Sequence, residues 1–360
     1  MYSLIYKPKI FDLSIASQRL QFEELVQQNP NLIIHNQLNS QIYEYVKLSN
    51  PELVNNESQL KNEFEAFLSS IDLEKFGNWV YYPWNNNLIR ILPEDQFIQV
   101  RTIRNKYKIT QKEQEILKNK CVGIVGLSVG QSVSLAIAME RIAGSMIIAD
   151  FDHLELGNMN RIRTGLHNIG TLKTIVVARE IAEIDPYIDV KCFHEGVTPE
   201  NIDSFFENSG KPIDILIDEC DSIDVKIALR EKSRKTKTPV LMDTSDRGML
   251  DVERYDLNPE MNLFHGLVTP DDLERLKHAK TSEERVDIVS KIINIETMSE
   301  GLRSSMKEIC KTITTWPQLG ADVMLGGAIT AMMTRKILLN KSKVTGRFFV
   351  DLDQIINGNL

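Results

Sequence analysis

CVGIVGLSVGQSVSLAIAMERIAGSMIIAD, residues 121–150, decides the fold. Cys121 to Val125 is a short apolar run, the pattern of a strand buried on both faces. The turn Gly126-Leu127-Ser128-Val129-Gly130 follows, and an apolar helix then runs through Ala143. Ser145 to Asp150 reads as a second strand. Strand, turn, helix and strand make a βαβ unit, which implies parallel pairing and a right-handed crossover. Asp150 ends the second strand, 150 − 126 = 24 residues after Gly126. In such a unit the glycine turn lets backbone N–H groups approach phosphates at a helix N-terminus. The acid at the end of the second strand reaches ribose hydroxyls. Here the acid is in place, but G-x-G-x-x-G is not met. Ser128 and Gln131 stand where the second and third glycines would be. Taken alone, the turn fits a plain strand-to-helix connection nearly as well.

The alternation continues outward. Thr171 to Ile184 reads as a helix stopped by Asp185-Pro186. IDVKCF (188–193), DILID (214–218) and PVLMD (239–243) read as further strands with helices between them. After Leu267 the chain turns polar and helical. It closes with a Gly/Ala/Met-rich helix, about Gly320 to Leu339, and a short strand near Arg347 to Val350. The fold class expected is α/β, with a doubly wound, mostly parallel, Rossmann-like sheet over residues 113–350.

Residues 1–76 are expected to form a small helical N-terminal region. Its clearest helix runs from Glu57 to Ile71, with Leu60, Phe64, Phe67, Leu68 and Ile71 on one face. Weaker periodicity marks Ile15–Val26 and Gln37–Leu48. GNWVYYPWNNNLIRIL (77–92) reads as strand, turn and strand. With the residues up to 112 it makes an aromatic hairpin and linker, its rings read as a core or interface cluster.

Composition narrows the function. With 42 Lys+Arg against 50 Asp+Glu the net charge is −8, which argues against a broad grip on nucleic acid or an anionic membrane. The longest apolar stretch, Leu319 to Met333, carries Asp322 and is too short for a bilayer. The first 13 residues lack a signal-peptide apolar region, so a cytoplasmic protein is expected. The 4 cysteines form no C-x-x-C pair and the 6 histidines no i, i+4 pair, so no zinc is expected.

DFDHLELGNMNRI (150–162) follows the second strand directly. It is similar to the D-x-D…N-x-x-R block of the ThiF/MoeB-type activating enzymes, relatives of the ubiquitin-activating enzyme. Gly170-Thr171-Leu172-Lys173 resembles their G-x-x-K, and IDECDS (217–222) their strand ending in a magnesium-facing Asp. RTIRN (101–105) resembles their R-x-x-R segment. The resemblance covers about residues 95–345. GLSVGQS, ADFD, IDECDS and especially MDTSDRGMLDVERYDL (242–257) resemble a bacterial branch of ThiF-type proteins, some of whose members continue into a nitroreductase-like domain. This chain, ending at Leu360, is expected to be a short form or part of a longer design.

The resemblance implies roles. Asp150 would hold the ATP ribose, with Gly126, Ser128 and Gly130 cradling phosphate. Asp152, Asn158, Arg161 and Lys173 would complete the nucleotide set, although Asp152 also fits a structural role. Lys173 opens a helix, where a cation is poorly placed unless an anion sits nearby. Asp221 would face Mg²⁺, or else cap the next helix, a role Ser222 serves equally. Arg104 would be an arginine finger offered across a homodimer. Asp246 and Arg247 would read the acyl substrate or shape their own turn. Cys220 reads as core, and Cys310 lies where some relatives carry a reactive cysteine.

The function implied is ATP-dependent adenylation of a carboxylate, such as the C-terminus of a ubiquitin-like or peptide partner, catalysed by Arg104, Arg161, Lys173 and Asp221. The alternatives are activation of a small-molecule or tRNA-borne carboxylate, and a non-catalytic nucleotide- or NAD-binding module.

Overall fold

The structure, a computed structural model, describes residues 4–278, 288–292 and 295–358. Two compact units are formed. The first holds residues 1–114 together with 182–187, and the second holds 115–181 and 188–360.

The first unit contains the three helices that periodicity predicts, α1 (Ala16–Gln28), α2 (Leu38–Ser49) and α3 (Glu57–Ser69), and a further helix α4 (Glu94–Arg101). It is not purely helical, and that expectation is corrected. Strands β1 (Lys9–Asp12) and β2 (Ile33–Asn36) join the hairpin β3 (Asn78–Tyr82) and β4 (Asn87–Ile91) in one sheet of order β1-β3-β4-β2. The boundary drawn by packing therefore falls after residue 114, not at 76. The hairpin aromatics alternate between faces, as strand geometry requires. Trp79 and Tyr81 pack with Phe11 and Leu88, while Val80 and Tyr82 pack with Ile91 and Ala182. These rings are core.

The second unit is built on a seven-stranded sheet. Its strands are β5 (Cys121–Val125), β6 (Ser145–Ala149), β7 (Asp189–Phe193), β8 (Ile215–Asp218), β9 (Val240–Asp243), β10 (Met249–Glu253) and β11 (Gly346–Phe349). The order is β11-β10-β9-β8-β5-β6-β7. Pairing is parallel from β9 through β7 and antiparallel at β10 and β11. This is the doubly wound, mostly parallel sheet expected. The chain runs from β5 outward through β6 to β7, then returns to place β8 on the other side of β5. That reversal opens a crevice at the carboxyl ends of β5 and β8, where open α/β sheets bind ligands.

Four helices matter for the crevice: α5 (Gly130–Glu140), α6 (Lys173–Ile184), α7 (Ile223–Thr236) and α8 (Gly320–Leu338). Helix α8 lies against α5 and β9. Gly326 and Gly327 permit the approach. A Cβ on Gly327 would stand 2.3 Å from Ser132 Oγ, and one on Gly326 would stand 1.8 Å from Asp243 Oδ2. Of the polar stretch after Leu267, Pro270–His278 and Glu300–Ser305 are helical, and residues 279–287 lie outside those described.

Strand β10 was not anticipated, and its acids are buried. Asp251 accepts from His265 Nε2 at 2.7 Å and from Arg347 Nε at 2.8 Å. Arg230 donates to Glu253 at 2.5 Å and to Asp218 at 2.6 Å, with its guanidinium over the Phe264 ring. Burying these charges is tolerable because each has an opposite partner and hydrogen bonds.

Candidate functional site

The crevice is lined first by the turn after β5. Gly126 sits at φ +87°, and a Cβ there would stand 2.4 Å from the Glu219 carbonyl oxygen, so only glycine fits. The next residue, Leu127, donates its N–H to Asp150 Oδ2 at 2.6 Å. Asp150 Oδ1 accepts the N–H of Asp152 at 2.8 Å. The carboxylate thus ties the turn to the segment after β6. Burial pushes the Asp150 pKa up, against the pull of Lys173 and the two N–H donors.

Asp152 and Lys173 form an ion pair, with Nζ 2.8 Å from Oδ2. Lys173 is the first residue of α6 and is buried. The anion that its awkward position calls for is Asp152. Arg161 donates from Nε to Ser128 Oγ at 3.2 Å, so Ser128, at the missing glycine, bonds the arginine instead of leaving bare backbone. Burial lowers the Arg161 pKa, and the field of Asp221 opposes that shift. Asn158 takes a local role. Its Oδ1 accepts the Glu155 N–H at 3.0 Å in a capping box around the short turn Leu156–Asn158.

Asp221 follows β8 and its carboxylate is exposed. Ser222 caps α7, its Oγ accepting from Val225 N at 3.4 Å. The capping alternative for Asp221 is thereby answered by its neighbour. Among the described residues no group of three or more His, Cys, Asp or Glu is placed to hold a metal. An exposed carboxylate suits Mg²⁺, which takes one or two protein carboxylates and fills its shell with phosphate oxygens and water. Arg104 lies in the other unit, exposed, in a one-turn helix Ile103–Asn105.

Two acids were missed by sequence reading. Glu219 directly follows β8 and Asp243 ends β9, both buried, and the Asp243 N–H donates to Glu219 Oε1 at 3.1 Å. Asp243 Oδ1 accepts from Ser245 N at 2.6 Å, while Oδ2 is buried and has no hydrogen-bond partner among the described residues. Burial raises the Asp243 pKa to about 7. Burial, then Asp243, raises that of Glu219 well above the carboxylate range. No linear signal separates such acids from ordinary strand-end carboxylates.

Asp246 and Arg247 shape their own surroundings. Asp246 accepts from Ser299 N at 2.9 Å and Oγ at 2.6 Å, and Arg247 donates to Asp351 at 2.6 Å and to the Thr297 carbonyl at 2.7 Å. Cys220 lies 3.0 Å from Asp218 Oδ1, and burial pushes its thiol pKa up, away from a reactive thiolate. Cys310 is exposed, in a left-handed conformation at φ +64°.

Residues 101–245 match the ThiF family. The chain carries a ThiF family domain. The turn, Asp150, Arg161, Lys173 and Asp221 all fall within the matched residues of the ThiF domain. An uncharacterized protein of Mycobacterium tuberculosis is 39% identical over 285 residues, 79% of this chain and 39% of that protein. A tRNA threonylcarbamoyladenosine dehydratase of Bacillus subtilis is 24% identical over 208 residues, 57% of this chain and 72% of the relative. Ubiquitin-like modifier-activating enzyme 5 of Drosophila sechellia is 27% identical over 126 residues, 33% of this chain and 31% of that enzyme. The chain thus spans well under half of the mycobacterial relative. Among the described residues no helix is long and apolar enough to cross a membrane.

Proposed function

We propose that the ThiF domain catalyses ATP-dependent adenylation of a carboxylate. One observation carries this reading. Asp150, the Asp152–Lys173 pair and the Arg161–Ser128 pair converge on the Gly126 turn at the topological switch, with Asp221 in the electrostatic reach of Arg161. In the reaction, the substrate carboxylate attacks the α-phosphorus of ATP, a carboxyl O–P bond forms, and the bond to pyrophosphate breaks. The attacking carboxylate is already ionised, so no general base is required. Charge builds on phosphoryl oxygens, and positioned cations oppose it.

Each residue has a part in this proposal. Asp150, with both oxygens already accepting one N–H each, retains lone pairs for ribose hydroxyls. Lys173 turns from Asp152 toward the phosphates, and Arg161 from Ser128. Asp221 would hold Mg²⁺, which on binding neutralises triphosphate charge. Arg104 would complete the site from a second copy in a homodimer. The acyl substrate is a ubiquitin-like protein or peptide C-terminus, in keeping with the likeness to a ubiquitin-like modifier-activating enzyme. A second reading, a tRNA-borne carboxylate, is favoured by the longer match to the tRNA threonylcarbamoyladenosine dehydratase and opposed by the net charge of −8.

The test is ATP–pyrophosphate exchange. Asp221→Asn should keep the parent melting temperature, because Ser222 supplies the helix cap, and should lose Mg²⁺-dependent exchange. Exchange at the parent rate would refute the assignment of Asp221.

A further inference from the structure

Gln131 stands where the third glycine of a nucleotide-binding turn lets the helix approach its strand. In this chain that packing role has moved one residue back. A Cβ on Gly130, the first residue of α5, would stand 2.9 Å from Ile124 Cγ2 on β5. With Gly130 making the close approach, position 131 can carry a side chain. Gln131 is 1% exposed, and its carboxamide is fully engaged inside the protein.

Its Oε1 accepts the N–H of Arg163 at 2.8 Å. Its Nε2 donates to the Arg163 carbonyl at 2.9 Å and to Glu180 Oε2 at 2.6 Å. The bonds to Arg163 clamp both backbone groups of the residue two places after Arg161. The bond to Glu180 reaches α6. Glu180 lies 180 − 173 = 7 residues from Lys173, about two helical turns, and so on the same face. One buried side chain thus joins three pieces: the first turn of α5, the segment carrying Arg161, and the helix that Lys173 opens. Ser128, at the other missing glycine, bonds Arg161 itself. Both departures from G-x-G-x-x-G therefore place a side chain on the same segment, residues 161–163.

We infer that Gln131 is a positioning residue, which holds the backbone behind Arg161 and the helix behind Lys173 against the N-terminus of α5, so that both cations and the helix amides meet one triphosphate. The inference rests on the adenylation reading and deepens it. Gln131 touches no nucleotide itself, because its carboxamide is turned inward to Arg163 and Glu180, and its effect passes through the two cations. Loss of the carboxamide should therefore be felt by the phosphates. It should not be felt by adenosine, whose ribose depends on Asp150 and the N–H groups of Leu127 and Asp152 that orient it.

The experiment measures binding of two probes to the whole chain: ATP with Mg²⁺ by calorimetry, and adenosine by competition. Gln131→Leu removes all the carboxamide bonds while keeping a side chain in the buried space. It should weaken ATP roughly tenfold and leave adenosine within about twofold of the parent. A side chain that served only the fold would, on removal, weaken both probes alike. The second test exchanges the partners. Gln131→Glu sets two buried carboxylates against each other and should weaken ATP at least as much as Gln131→Leu. Adding Glu180→Gln to it restores an amide-to-carboxylate bond with the donor on the other side, and should recover ATP affinity by about threefold or more. Should Gln131→Leu fail to fold, the exchanged pair decides. Parent ATP affinity in Gln131→Leu, equal losses of ATP and adenosine, or no recovery in the exchanged pair overturns the inference. If the parent binds ATP and the variants match it, the Gln131 assignment fails and nucleotide binding stands. If the parent binds no ATP, the adenylation reading has failed, and the inference with it.

Discussion

Replacing Asp243 by Asn should change how stability depends on pH. Burial raises the Asp243 carboxyl from 3.8 to about 7, and its Oδ2, facing Gly326, has no hydrogen-bond partner among the described residues. The folded state therefore holds a proton that the unfolded chain has released. Below pH 3.8 both states are protonated and the acid costs nothing through this linkage. As pH rises from 3.8 toward 7, stability falls by about 1.4 kcal/mol per pH unit, and it levels off above 7. The full span is worth about 4 kcal/mol. Asn keeps the shape and an acceptor for Ser245 N but has no proton to lose. Its unpaired amide adds a constant penalty that does not vary with pH. The advantage of Asp243→Asn over the parent should thus widen from pH 5 to pH 8 by about 2–3 kcal/mol. For a domain of this size that is roughly 5–10 °C in melting temperature. Thermal melts of both proteins at four pH values, followed by tryptophan fluorescence, provide the assay. Curves that run parallel across pH 5–8 would instead mean that Asp243 is ionised throughout that range.

Further outcomes are expected around the nucleotide. Asp150→Asn should weaken ATP binding by roughly 1.5–3 kcal/mol, about ten- to a hundredfold in Kd by calorimetry. Asn at 150 keeps only one oxygen for the Leu127 and Asp152 N–H groups, so a lower melting temperature should accompany the loss. Parent affinity in the folded variant would remove Asp150 from ribose binding. If Arg104 acts across a homodimer, mixing Arg104→Ala with Asp221→Asn should restore exchange activity that neither has alone, since one heterodimer site keeps both residues. Silence after confirmed subunit exchange would place Arg104 outside the partner's site.

The sheet was legible because buried parallel strands read as apolar runs and amphipathic or apolar helices separate them. β5, β6, β7, β8 and β9 all lie within a residue or two of the runs that announce them. Strands β1 and β2 were not seen because four residues are too few to show a period. Strand β10 was hidden by its own chemistry. MLDVE carries two acids that read as solvent-facing, and only the fold brings Arg230, Arg347 and His265 to them. The site was legible as a set of residues, not as a set of contacts. Nothing linear says that Asp152 neutralises Lys173, that Ser128 bonds Arg161, or that Asn158 spends its oxygen on a turn. The Glu219–Asp243 pair was unreadable for the same reason, since burial is a property of packing around a position.

The proposed activity requires that the Gly126 turn, Asp150, Arg161 and Lys173 bind ATP. The most direct measurement is the melting temperature of the purified chain with ATP and Mg²⁺ against NAD⁺ at the same concentration. A ligand at 100 times its Kd stabilises the folded state by about 2.7 kcal/mol. That corresponds to roughly 5–10 °C for a domain of this size. A rise of that order with ATP and Mg²⁺, and none with NAD⁺, is expected. A rise with NAD⁺ and none with ATP would exclude these residues as an ATP site.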